Sequence, residues 1–400
     1  MSAMVRLLAA VALLGLLVGC GERRAEDGAE DGMEPLEEGL VEVPLFEVDP
    51  LWPQPLPNDW VLGSVVGVDV DSRGHVFIMH RTISLDRVQE IGAVTDPPGA
   101  LCCTPAPPVL EFDPDGALVN GWGGAVEGAP YSWLSLNHGL SFDQDENIWI
   151  GGNGRADSHI LKFTKEGEFL LQLGEPGQQI DSNGSGYSRV AKVSFGREGG
   201  EGYVSDGYGN KRVAVIDKDT GEILRYWGAY GNRPSDEDLG PYDPDAPLAQ
   251  QFRNPIHCAE PTSDGLVYVC DRVNDRLQVF EADGTFVTEK RFASITLGNG
   301  SVWDIAFSPD ERFLYLADGS NHWVLVLERS TLDILTQFGG GGRQPGQFSS
   351  VHSIATDSQG NIFTAETFQG KRVQKFIYKG MGRIKKGANQ GPVWPGSTGL

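Results

Sequence analysis

Three histidines in this 400-residue chain share one local setting. His138 stands in NHGLSFDQDENIWI, His257 in IHCAEPTSDGLVYV and His352 in VHSIATDSQGNIF. Each opens an alternating apolar stretch that runs through a polar turn into a second, β-branched and aromatic stretch. Three neutral imidazoles that meet and leave a fourth position open make a catalytic Zn²⁺ site, with water or substrate as the last ligand. Two arginines, Arg81 and Arg272, and one tyrosine, Tyr208, fall at the end of the second stretch in their own copies of the pattern. Guanidinium groups hold a carboxylate through paired hydrogen bonds. A phenol beside positive charge gives up its proton more readily and can serve as a base. Together the six residues describe metal chemistry on a small anionic substrate.

The pattern that must position them occurs six times, from Gly67, Asn137, Ala191, Ile256, Asp304 and Val351. After the two stretches comes a polar loop and a third alternating strand. Most copies add an outer strand ending in glycine, as at Trp122-Gly123, Leu173-Gly174, Trp227-Gly228 and Phe338-Gly339. Four short antiparallel strands repeated in this way, with no helical period between them, predict an all-β protein, a six-bladed β-propeller. Innermost strands line the channel of such a ring. Aligned on that strand, the copies give one column: Val66, His138, Ala191, His257, Trp303, His352. Histidine takes every second place, so the imidazoles come from blades about 120° apart and converge on the axis. With only 7 histidines in the chain, chance filling of an alternating set is below about one in a hundred. A second column, at the mouth above them, reads Arg81, Asn153, Tyr208, Arg272, a glycine near 319, and Thr367. His159 and His322 share a loop position away from the axis and are expected to be solvated. His75 lies in a hairpin turn, and His80 either supports Arg81 or does nothing.

Composition sets the surroundings. Asp+Glu number 55 against 32 Lys+Arg, a net charge of −23 that excludes nucleic-acid binding. Arg6 precedes an apolar run, Leu7 to Val18, too short to span a membrane, and Leu17-Val18-Gly19-Cys20 reads as a bacterial lipobox with Cys20 lipidated. Gly21, where an inner-membrane retention signal has Asp, favours the periplasmic side of the outer membrane in the bacterial cell envelope, with the lipid anchor as the one membrane contact. Residues 1–19 are therefore read as a lipoprotein signal peptide, 20–40 as an acidic flexible tether, 41–378 as the propeller and 379–400 as a C-terminal tail. Val41–Val48 is predicted to close the ring as the outer strand of the last blade, because the basic, Gly-rich sequence after Phe376 is a weaker strand. Residues 82–108 and 229–251 are inserts. Export permits disulfides. Cys258 and Cys270 lie symmetrically about Ser263-Asp264-Gly265, facing each other as a disulfide or as two buried thiols, whereas Cys102-Cys103 sits in the Pro-rich first insert.

In these motifs, above all NHGLSFDQDENIWI, VSDGYGNKRV, VCDRVNDRLQVF and VHSIATDSQGNIF, the chain from about 42 to 378 resembles the peptidyl-α-hydroxyglycine α-amidating lyases, propellers related to the NHL-repeat proteins. The resemblance implies zinc on His138, His257 and His352, Tyr208 as catalytic tyrosine and Arg81 and Arg272 as the active-site arginines. It implies cleavage of an N-acyl-α-hydroxyglycine to a primary amide and glyoxylate, with the zinc as Lewis acid on the hydroxyl oxygen and no redox cofactor. It also implies a structural Ca²⁺ on backbone carbonyls matching Val68 and Leu140 plus a carboxylate after the third histidine. Ser353 stands there instead, which argues against calcium. Gly209 replaces the family's cysteine after the tyrosine, and no copper monooxygenase segment precedes the propeller. Two other readings compete: an NHL-type scaffold binding a protein or polysaccharide, and a metal-dependent lactonase, whose ring would offer Glu, Asn and Asp where this one offers histidine. A propeller built on a quinone cofactor ranks below both.

Overall fold

The computed structural model describes residues 39–396; the expected signal peptide, Cys20 and the expected tether up to Glu38 lie outside them. The repeats fold into six antiparallel sheets of four strands or more. Their innermost strands are Ser64–Val70, Asn137–Phe142, Lys192–Phe195, Ile256–Pro261, Asp304–Phe307 and Val351–Thr356. Each packs beside the innermost strand of the next blade, and the sixth beside the first, so the ring is closed. Short alternating strands bury one face against each neighbouring blade, and the apolar core is accordingly divided among the blade interfaces. Between blades one and two, for example, Val66, Phe77 and Met79 meet Leu140, Ile150 and Leu161. Among the described residues no helix is long and apolar enough to cross a membrane.

Leu40–Asp49 pairs antiparallel with Arg372–Lys385 and supplies the outer strand of blade six. The last strand runs past the expected boundary at 378. Its basic residues Lys379, Arg383 and Lys385 face outward while Phe376 and Ile384 are buried, so the stretch after Phe376 has the alternation a strand needs. The tail then adds Ala388–Asn389 to the edge of blade five, parallel to Thr336 and Gln337. The first insert contains a short helix, Ile91–Val94, and a strand, Thr104–Pro105, that pairs with Trp60–Val61 ahead of blade one. Cys102 and Cys103 are joined to each other there, and Cys258 is joined to Cys270 across blade four.

Candidate metal centre

The three histidines meet. One ring nitrogen from each of His138, His257 and His352 lies within 4.8 Å of the others, and all three side chains are buried. Ring centroids are 4.9, 4.7 and 4.7 Å apart, close to an equilateral triangle. The local cause is a β-bulge in each histidine strand: pairing slips between Asn137 and Leu140, between Ile256 and Ala259, and between Val351 and Ser353. An extra residue turns the side chain out of the ladder and into the channel. Gly139 makes room for this in blade two, since a Cβ there would stand 2.5 Å from the Ala191 carbonyl.

That carbonyl has a second task. His138 Nδ1 donates to Ala191 O at 2.8 Å, and His257 Nδ1 donates to Trp303 O at 2.5 Å. His352 Nδ1 meets Ser353 Oγ at 3.1 Å, and that hydroxyl donates to Val66 O at 3.0 Å. Ala191, Trp303 and Val66 are the non-histidine members of the channel column, so each histidine is oriented from the following blade. Holding the proton on Nδ1 leaves the Nε2 lone pair facing the axis. His257 Nε2 is buried without any partner. Burial first, then the neighbouring cations, holds all three pKa values well below the ordinary histidine range. Three neutral, pre-oriented imidazoles with an orphaned nitrogen among them fit a divalent ion of the zinc type.

The mouth residues gather above this triangle. Tyr208 Oη is 3.0 Å from His138 Nε2 and accepts from Arg272 Nη1 at 3.1 Å. Arg272 Nε is buried and unpartnered. Arg81 gives Nε to Asn137 O and Nη2 to Asn153 Oδ1, with no partner for Nη1 among the described residues, and burial lowers its pKa to about 10. Two donor groups without partners among the described residues thus flank one phenol and the histidine triangle. The loops that carry these groups are tied at their base by ion pairs: Asp206 with Arg212 at 3.0 Å below Tyr208, and Asp271 with Arg276 at 2.8 Å below Arg272. Glu366 with Arg372 repeats the arrangement in blade six. An acid closing strand two and an arginine opening strand three, as in VSDGYGNKRV and VCDRVNDRLQV, is a readable signal for these loops.

Other histidines are structural. His159 is not solvated: it is buried with Nε2 on Ser132 O at 2.7 Å. His322 is partly buried and accepts from Ser350 N, and His75 pairs with Glu111. His80 receives Gly63 N and contacts Pro107 O, fixing the first insert, while its own carbonyl accepts from Asn137 beside the first histidine.

Below the triangle the channel opens into a cavity of about 330 Å³ lined in part by Val68, Asp69, Lys192, Glu260 and Ile354. Cys258, Glu260 and Asp304 have metal-ligand spacing here, but Cys258 is spent in its disulfide. The cation already present is Lys192, whose Nζ lies 2.7 Å from Glu260 and 3.3 Å from Asp304. With Ser353 committed to Val66 and Lys192 among the carboxylates, the residues around Val68 and Leu140 do not fit calcium.

Fold and site define a six-bladed propeller with a three-histidine centre under a tyrosine and two arginines. No family model matches the chain. It is 22% identical over 365 residues to peptidyl-alpha-hydroxyglycine alpha-amidating lyase 1 of Drosophila melanogaster, covering 83% of this chain and 60% of that protein. It is 26% identical over 356 residues to NHL repeat-containing protein 3 of Mus musculus, covering 84% and 85%. Among solved structures it resembles virginiamycin B lyase from Staphylococcus aureus, with 14% identity, a TM-score of 0.45 and coverage of 85% and 88%. The chain is thus similar, at low identity, to amidating lyases and NHL-repeat proteins, and it spans under two thirds of the Drosophila lyase.

Proposed function

We propose that the chain is a metal-dependent lyase that splits an N-acyl-α-hydroxyglycine into a primary amide and glyoxylate, acting in the cell envelope behind a lipid anchor. The observation that carries this reading is the contact of Tyr208 Oη with both His138 Nε2 and Arg272 Nη1. One hydroxyl stands where a metal ligand, a cation and a substrate hydroxyl would all converge. A zinc ion on the three Nε2 atoms would supply Lewis acidity at the substrate's hydroxyl oxygen.

The protein's own groups account for the rest. Arg272 Nε and Arg81 Nη1, both free of protein partners, would bind the substrate carboxylate. Arg272 Nη1 stays on Tyr208, so one guanidinium orients both base and substrate. Tyr208, as the phenolate, would take the hydroxyl proton at Oη and return it to the departing amide nitrogen. The C–N bond then breaks, the hydroxyl carbon becomes the aldehyde of glyoxylate, and the amide nitrogen gains a proton. Atoms balance with no oxidant and no water consumed.

The test is glyoxylate release from N-acetyl-α-hydroxyglycine by the purified protein with zinc. Release that follows enzyme concentration supports the lyase, and folded, zinc-loaded protein that releases none overturns it. A scaffold function is the second reading; the mouse NHL repeat-containing protein is matched over 84% of this chain and 85% of its own length. It requires no metal, so metal content separates the two.

A further inference from the structure

An aromatic path leads from the three-histidine triangle to solvent. Trp303 lies 6.1 Å from His257 and 5.7 Å from His352, centroid to centroid, and is buried. Gly319, the residue that leaves the mouth column empty in blade five, is what admits the indole: a Cβ there would come within 2.4 Å of Trp303. One part of the indole is covered by the Arg272 guanidinium at 4.7 Å. Edge-on at 6.3 Å stands Phe368, one residue beyond Thr367 of the mouth column.

Phe368 is an unusual surface residue. It is 53% exposed, yet it is held. Its φ of 49° is a conformation side chains rarely adopt, its carbonyl accepts from Ser64 Oγ of the adjoining blade one, and its loop is tied down by Glu366 and Arg372. The exposed ring stands beside the indole that carries the arginine assigned to the substrate, where an apolar group of a bound substrate could cover it.

We propose that Phe368, backed by Trp303, is the specificity wall for the acyl group of the substrate, and that the site prefers an aromatic or bulky apolar acyl group over a small one. The inference rests on the carboxylate being anchored at Arg272 and Arg81, as proposed above. With that end fixed beside Trp303, the acyl group at the other end of this short substrate extends over the exposed ring. Phe368 is a binding residue in this account and takes no part in proton transfer.

The experiment uses two inert acids, N-acetylglycine and N-benzoylglycine, which carry the carboxylate and the amide but not the reacting hydroxyl. Their binding to the zinc-loaded protein is measured by calorimetry. Benzoylglycine is expected to bind about tenfold more tightly, from the ring area removed from water. Phe368→Ala should abolish most of that difference by weakening benzoylglycine several-fold more than acetylglycine, and Phe368→Leu should retain part of it. Equal affinity of the wild type for both acids, or a preference that survives in Phe368→Ala, overturns the wall. Failure of both acids to bind overturns the wall and the carboxylate anchor together. Binding with the expected preference but no glyoxylate from the hydroxylated substrates upholds the wall and rejects the lyase.

Discussion

Replacing Tyr208 by phenylalanine is expected to lower kcat for glyoxylate release by a factor of ~10²–10⁴, the range for removing a positioned general base, with little change in KM. The phenyl ring would keep its edge contacts with His138 at 5.0 Å and His257 at 5.9 Å, and Arg272 would still lie over it at 5.6 Å. What disappears is the one oxygen between His138 Nε2 and Arg272 Nη1. The groups assigned to the carboxylate, Arg272 Nε and Arg81 Nη1, remain, which is why KM should hold. Metal content should also hold, because Tyr208 is not one of the three ligands. Steady-state kinetics with parallel metal analysis checks this. A variant that keeps its kcat removes Tyr208 from the chemistry, and one that loses its metal shows that the tyrosine supports the centre and is not its base.

Lys192→Met should destabilise the fold by about 3–5 kcal/mol at pH 7.5, the usual cost of stranding buried charges by deleting their partner. The side chains of Lys192, Glu260 and Asp304 are 12%, 16% and 2% exposed, and Asp69 shares their cavity. The ammonium is the counter-ion for three carboxylates contributed by blades one, four and five. Burial already raises the pKa of Asp69 to about 6 and pushes Asp304 up as well. An aspartate whose folded pKa lies above its unfolded value binds more protons when folded, so its stability contribution is lost as pH rises through the folded pKa. Without Lys192 both aspartates would rise further. The deficit relative to wild type should therefore be greatest above pH 7 and shrink toward pH 5, where the carboxylates take up protons. Urea denaturation across that pH range measures it. A deficit that is constant with pH would mean that Lys192 contributes packing and not charge.

The ring and its histidines were legible because both follow from repetition. Strand periodicity defines the blades, and aligning them places His138, His257 and His352 on alternate innermost strands, where the fold brings their ring nitrogens together. The bulges that aim those rings were not legible, since a bulge is a property of two paired strands and the alignment treats strands singly. Nor were the orienting carbonyls of Ala191, Trp303 and Val66, because a backbone acceptor can belong to any residue type. Lys192 escaped notice because the channel column stops one residue short of it. Yet Lys192 and Asp304 follow that column by one position, and Asp69 and Glu260 by three. The solvated position assigned to His159 failed because the Ser132 carbonyl, from the loop entering blade two, covers it. In the strand to Lys385, glycines hide from the sequence an alternation that Lys and Arg carry.

Three imidazoles gripping one divalent ion are the centre of the proposed chemistry. Elemental analysis of the purified protein and of His257→Ala, whose Nε2 is the buried nitrogen without a partner, tests this most directly. The expected result is close to one zinc per wild-type chain and almost none in the variant, with both proteins folded. Folded wild-type protein that holds no metal, and takes up none when zinc is supplied, would contradict it.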